Sequence, residues 1–169
     1  MFRLLTHLLL VATTIPTVAL AHDTQSLDWV DLIPVKNRMT QKAAVAPIVD
    51  HDSKQAMTQT LDVELRQDLD GENIEISGFV VPLEGSENYV TEFLLVPYFG
   101  ACLHVPPPPQ NQIIHVTFEQ GISVQKLWDV VTVEGELQTN SIKHELAQVG
   151  YQMTGIELEP YNEVAQPNG

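Results

Sequence analysis

One cysteine, Cys102, and two histidines, His104 and His115, are the residues of this 169-residue chain whose types and spacing best lend themselves to chemistry. In an extended segment Cys102 and His104 leave the backbone on the same face, because side chains alternate with a period of two. If the segments flanking Pro106, Pro107, Pro108 and Pro109 pair as a hairpin with residue 104 opposite 111, residue 102 lies opposite 113. His115 then becomes the diagonal neighbour of Cys102, and diagonal positions about 7–8 Å apart let inward-reaching side chains converge. A thiolate with two imidazoles is a donor set for zinc, with copper as the alternative.

The same residues admit two other readings. Cys102 can be a small buried apolar side chain, and His115, flanked by Ile113, Ile114 and Val116, an ordinary histidine on a sheet face. Alternatively, an imidazolium at 104 or 115 lowers the thiol pKa and makes Cys102 redox-active or nucleophilic, in which case alkylation near neutral pH should be fast. Asn111 is the candidate third orienting group, but residue types alone do not make a Cys-His-Asn arrangement. Two more histidines have ligand chemistry. His22 would pair its imidazole with the α-amine if cleavage exposes it, and His51 sits between Asp50 and Asp52. A solvated charged turn is the competing reading of that triplet.

The four prolines lock φ near −65° and remove four backbone donors, so this loop is a stiff polyproline spacer. Such a loop either holds side chains in fixed geometry or offers a docking face to another protein. Tyr98, Phe99, Pro106, Pro107, Pro108, Pro109 and Asn111 are the residues such a face would use, since aromatics beside a rigid loop often anchor interfaces.

The run Tyr98-Phe99-Gly100-Ala101-Cys102-Leu103-His104-Val105-Pro106-Pro107-Pro108-Pro109-Gln110-Asn111-Gln112 resembles the hallmark of an uncharacterised family of exported bacterial proteins, a domain of unknown function. The similarity extends from Trp29-Val30-Asp31-Leu32-Ile33-Pro34 through Val131-Thr132-Val133-Glu134-Gly135-Glu136-Leu137 to Gly150-Tyr151. The resemblance implies a small β-barrel found beside ABC transporter components, in some bacteria within zinc-responsive operons. It therefore implies a periplasmic accessory protein in metal handling, with ABC-type transport components or other periplasmic proteins as partners.

The elements that must position these residues follow from the hydrophobic pattern. Between Asp50 and Asp70, Met57, Leu61 and Leu65 recur every four residues, which predicts one amphipathic helix ending near Asp70-Gly71. After Gly71 the period becomes two, with strands expected at residues 74–83, 89–98, 112–118, 128–137 and 151–158. Gly85-Ser86-Glu87-Asn88 is the first hairpin connection, and the segment 141–148 can be helical. This pattern predicts a mainly β chain: a small antiparallel OB-like barrel of five strands with one N-terminal helix and an extended N-terminal arm, a β-sandwich being the alternative. Within the arm, Leu27 to Pro34 is expected to dock Trp29 and Leu32 on the core.

Residues 1–21 read as a secretory signal peptide, with Arg3, the apolar run Leu8 to Ala12, and Ala19-Leu20-Ala21 before the polar His22-Asp23-Thr24. The apolar stretch is interrupted by Thr13, Thr14 and Pro16, so a retained span is the weaker reading, and no cysteine at the cleavage point offers a lipid acceptor. The expected organisation is a leader over 1–21, an arm with helix over 22–70, a barrel over 71–160 and a tail over 161–169. With 22 acidic against 8 basic residues and a formal charge of −14, nucleic acid is an unsuitable partner even for an OB-like barrel. The expected function is a non-enzymatic, periplasmic accessory role in zinc handling, without a stable membrane anchor. A metal-free docking module and a cysteine-dependent redox protein are the alternatives.

Overall fold

The computed structural model describes residues 23–45, 59–102, 106–123 and 130–161. The expected leader, His22, the Asp50-His51-Asp52 triplet, Met57 and His104 lie outside them.

The period-two pattern becomes five long strands, most of which bury every second residue over part of their length, while Tyr89–Val96 buries both faces over its last four residues. In the strand Val131–Gln138, for example, Val131, Val133 and Leu137 are fully buried while Glu136 and Gln138 face solvent. In chain order the strands are β1 (Gln25–Ser26), β2 (Asn73–Gly85), β3 (Tyr89–Val96), β4 (Ile114–Ser123), β5 (Val131–Gln138), β6 (Ile142–Lys143), β7 (Gln148–Val149) and β8 (Tyr151–Pro160). The main sheet runs β1-β2-β3-β4-β8-β5 and closes through β2 on β5. All barrel junctions are antiparallel except β4–β8, which is parallel. This is a closed five-stranded barrel of OB-like order with β1 as an extra strand, so the barrel expectation holds over the sandwich.

Closure depends on β2 serving two neighbours. Residues 73–78 pair with β5 and residues 79–85 with β3. Gly78 sits at the exchange point, where a Cβ would come within 2.8 Å of the Val96 carbonyl oxygen and 2.9 Å of the Trp29 ring. The glycine thus admits Trp29, whose indole Nε1–H donates to the Ser77 carbonyl at 2.7 Å. The barrel is filled by Ile74, Ile76, Phe93, Leu95, Ile114, Val116, Val133, Tyr151 and Met153, and Leu32 of the arm plugs it, as expected of that segment.

Two expectations are corrected. Residues 59–66 are not helical: they lie extended against residues 108–112, and only Gln67–Leu69 forms a single 3₁₀ turn. The carbonyls of Thr60, Leu61 and Glu64 accept from the backbone of Gln110 and the side chains of Gln110 and Asn111, with no amide four residues on among their donors, which outweighs a four-residue spacing of leucines. Residues 141–148 are likewise not helical. They belong to the β6–β7 hairpin, in which Ile142 pairs with Val149 and Lys143 with Gln148. Burial of Ala147 and Val149 on the outside of the barrel holds that hairpin.

Candidate functional site

β3, with Val96 as its last residue, runs into the segment that carries the unusual residues. Pro97 follows, Tyr98 turns inward, and Gly100 takes a left-handed φ of 77°. Cys102 does the same at φ 65°, the only non-glycine among the described residues with positive φ, a conformation costing an L-residue on the order of 1 kcal/mol. Tyr98 and Ala101 are buried, and the Tyr98 hydroxyl donates to the Pro106 carbonyl at 2.7 Å, tying the start of the loop to its proline run. Phe99 stands 75% exposed and meets Phe79 of β2 edge-on, with ring centroids 6.0 Å apart.

These residues cover the outer face of β2, β3 and β4. Val81, Leu94, Val96 and Ile113 lie buried beneath Tyr98, Ala101, Ala147 and Val149, with the half-buried Cys102 packed against them. In OB barrels this side of the sheet is the customary ligand face. Here the chain has covered it with its own loop and hairpin.

Burial pushes the Cys102 thiol up to about 11, so at neutral pH it holds its proton. That is the opposite of what a cysteine nucleophile needs, so the geometry does not favour the redox reading. Tyr98 is pushed up to about 12, by burial first and by the neighbouring Cys102 second.

The hairpin register that would set Cys102 beside His115 is not formed. β4 pairs with β3 instead, placing His115 opposite Leu94, and the loop leaves the sheet before Cys102. The reason is core burial: Ile114 and Val116 must face inward with Leu95 and Phe93, which fixes the register. Cys102 and His115 still lie over the same outer face, since Leu94, the cross-strand partner of His115, belongs to the cluster against which Cys102 packs. Among the described residues no group of three His, Cys, Asp or Glu side chains is arranged to hold a metal ion.

His115 is almost buried, and its Nε2 lies 3.2 Å from Oε2 of Glu92 on β3. Its Nδ1 is buried without a hydrogen-bond partner. One imidazole nitrogen is a single donor, short of the three or four protein ligands a zinc site needs.

At the far end of the loop Asn111 is fully buried rather than presented outward. Its Nδ2 donates to the Glu64 carbonyl at 2.9 Å and to Gln41 Oε1 at 3.2 Å, while its Oδ1 accepts from Gln41 Nε2 at 2.7 Å. Gln112 reaches the Trp29 carbonyl at 2.8 Å and accepts from the Ala44 amide at 3.1 Å. Gln110 donates to the Leu61 carbonyl at 2.6 Å, and Gln59 bridges the carbonyls of Pro108 and Gln148. This amide clamp, which straps the arm to the barrel, was missed by sequence reasoning. Its one signal was three consecutive neutral amides between a rigid proline run and an apolar strand.

Residues 29–160 match the family described as protein of unknown function (DUF3299). The crystal structure of a DUF3299 family protein from Pseudomonas aeruginosa PAO1 is 38% identical with a TM-score of 0.70, over 83% of this chain and 97% of that one. No functionally curated protein matches the chain. With a barrel, a strapped arm and a covered outer face spanning the matched residues, the chain belongs to the DUF3299 family.

Proposed function

We propose that this protein is an exported, periplasmic accessory protein of an ABC-type transport system, acting in metal and first of all zinc handling, and that it docks a partner protein through the loop bearing Phe99 and Pro106 to Pro109. The observation that carries this reading is the exposure of Phe99 on a loop whose neighbours Tyr98, Ala101 and Pro108 are all buried. The loop is thus anchored from beneath, and ordering it on binding costs little entropy. A large aromatic held rigidly in solvent is the kind of residue that anchors an interface. Export, zinc and the transport partner rest on the resemblance carried by the Tyr98 to Gln112 motif and on the leader-like residues 1–21.

A photo-cross-linking residue at position 99, introduced in the producing bacterium, tests the docking face. Capture of a transport component from position 99 and not from Glu157 on the opposite acidic strands is the expected result. Equal capture from both positions, or none from either, overturns it.

A second reading is that Cys102 and His104 coordinate zinc with His115 as a further ligand, and the partnerless His115 Nδ1 favours it. Native mass spectrometry of the mature protein beside a Cys102→Ser, His104→Ala double variant decides it. One zinc lost in the variant supports the reading, and a wild-type chain that takes up no zinc on titration removes it.

A further inference from the structure

We propose that Gln59 is the positioning residue of the docking loop, fastening the proline run to the β6–β7 hairpin so that Phe99 is presented in one fixed place. This inference rests on the docking reading above and deepens it. Proline has no backbone N–H, so the run Pro106 to Pro109 can only accept hydrogen bonds and must be held by donors from elsewhere. The Pro106 carbonyl accepts from the Tyr98 hydroxyl at 2.7 Å, that of Pro108 from Gln59 Nε2 at 2.9 Å, and that of Pro109 from the Gln112 amide at 2.8 Å. Tyr98 and Gln112 belong to the segment that the run itself joins. Among the described residues, Gln59 is the donor that reaches the run from another part of the chain.

The same carboxamide also grips the hairpin. Its Nε2 donates to the Gln148 carbonyl at 2.7 Å and its Oε1 accepts from the Gln148 amide at 2.8 Å, so both N–H groups and the oxygen are in use. Gln148 lies between Ala147 and Val149, which are buried in the same outer cluster as Tyr98 and Ala101. One side chain thus joins the arm to the loop and to the hairpin, 49 and 89 positions further along the chain. A polyproline run is stiff over a few residues, so fixing Pro108 fixes Pro106. The Pro106 carbonyl is the atom that the Tyr98 hydroxyl meets, and Phe99 is the next residue. Gln59 was not among the candidate residues of the sequence, because partners so distant leave no local signal.

The variant Gln59→Met keeps the length of the side chain and removes its donors and its acceptor. Amide hydrogen exchange of the mature protein and photo-cross-linking from position 99 in the producing bacterium, each beside the wild type, test the proposal. The expected result is exchange at the Gln148 amide about tenfold faster, unchanged exchange at the amides of β5, and capture of the transport component from position 99 about tenfold lower. Faster exchange with undiminished capture overturns the positioning role while the docking reading stands. An unchanged Gln148 amide overturns it without reference to any partner. Equal loss of protection at Gln148 and in β5 also overturns it, because Gln59 would then serve the fold as a whole. A wild type that captures nothing from position 99 removes the docking reading, and the role of Gln59 with it.

Discussion

At one end of the proline run Gln110, Asn111 and Gln112 are buried and engage carbonyls and amides of the arm from Trp29 to Glu64. At the other end Phe99 stands three-quarters exposed, and Cys102 sits in a left-handed backbone conformation. A single peculiar stretch of sequence thus performs two unlike tasks. The amides convert buried polar groups into a specific strap, since each is costly if left unpaired. The aromatic end keeps most of the Phe99 ring in water, with only an edge contact to Phe79, so the ring adds little to folding.

The largest expected effect falls on the strap. Asn111→Ala should lower unfolding free energy by about 3 kcal/mol, because it leaves the Glu64 carbonyl and the Gln41 amide without their buried partner. Urea denaturation checks this, and a loss within about 0.5 kcal/mol would erase the distinction between the two ends. Next comes the Cys102 thiol. With its pKa raised from 9.0 to about 11, alkylation at neutral pH should run about 100-fold slower than for an unperturbed thiol and accelerate about tenfold per pH unit up to pH 11. Because the folded thiol holds its proton more tightly than the unfolded one, its contribution to stability is present below pH 9 and fades as pH climbs toward 11. Fast alkylation at pH 7 would return the redox reading.

A smaller change is expected from Tyr98→Phe, which deletes the hydroxyl donated to Pro106 and should cost about 1 kcal/mol in thermal or chemical unfolding. That loss marks where the folded part of the loop ends. Phe99→Ser should shift stability by no more than about 0.5 kcal/mol, since an exposed ring has little to lose on unfolding. The same variant should weaken cross-linked or purified partner binding by about tenfold or more. A strongly destabilised Phe99→Ser would mean that the ring serves the fold through Phe79.

The barrel was legible because alternation is a local signal. Val131, Val133 and Leu137 mark an inward face within their own strand, and Gly85 to Asn88 mark the turn between β2 and β3. The strap was illegible for the converse reason. Leu61 and Leu65 have helical spacing, but which atoms satisfy the carbonyls of residues 61–64 depends on Gln110 and Asn111, nearly 50 positions away. His115 shows both cases at once. Its place on the outer sheet face follows from Ile114 and Val116 pointing inward, whereas its partner Glu92 follows from the β3–β4 register alone.

By itself the sequence determined the element type over most of the barrel, the strongly acidic charge of the chain and the exceptional stiffness of the proline loop. These depend on side-chain period, charge and the pyrrolidine ring, all of which act within a few residues. Only the tertiary structure decided that β2 is shared by two neighbours, that Asn111 faces in while Phe99 faces out, and that His115 meets Glu92 rather than Cys102. Those outcomes arise from burying one set of strand faces together, and the free energy of that burial depends on partners the local sequence does not contain.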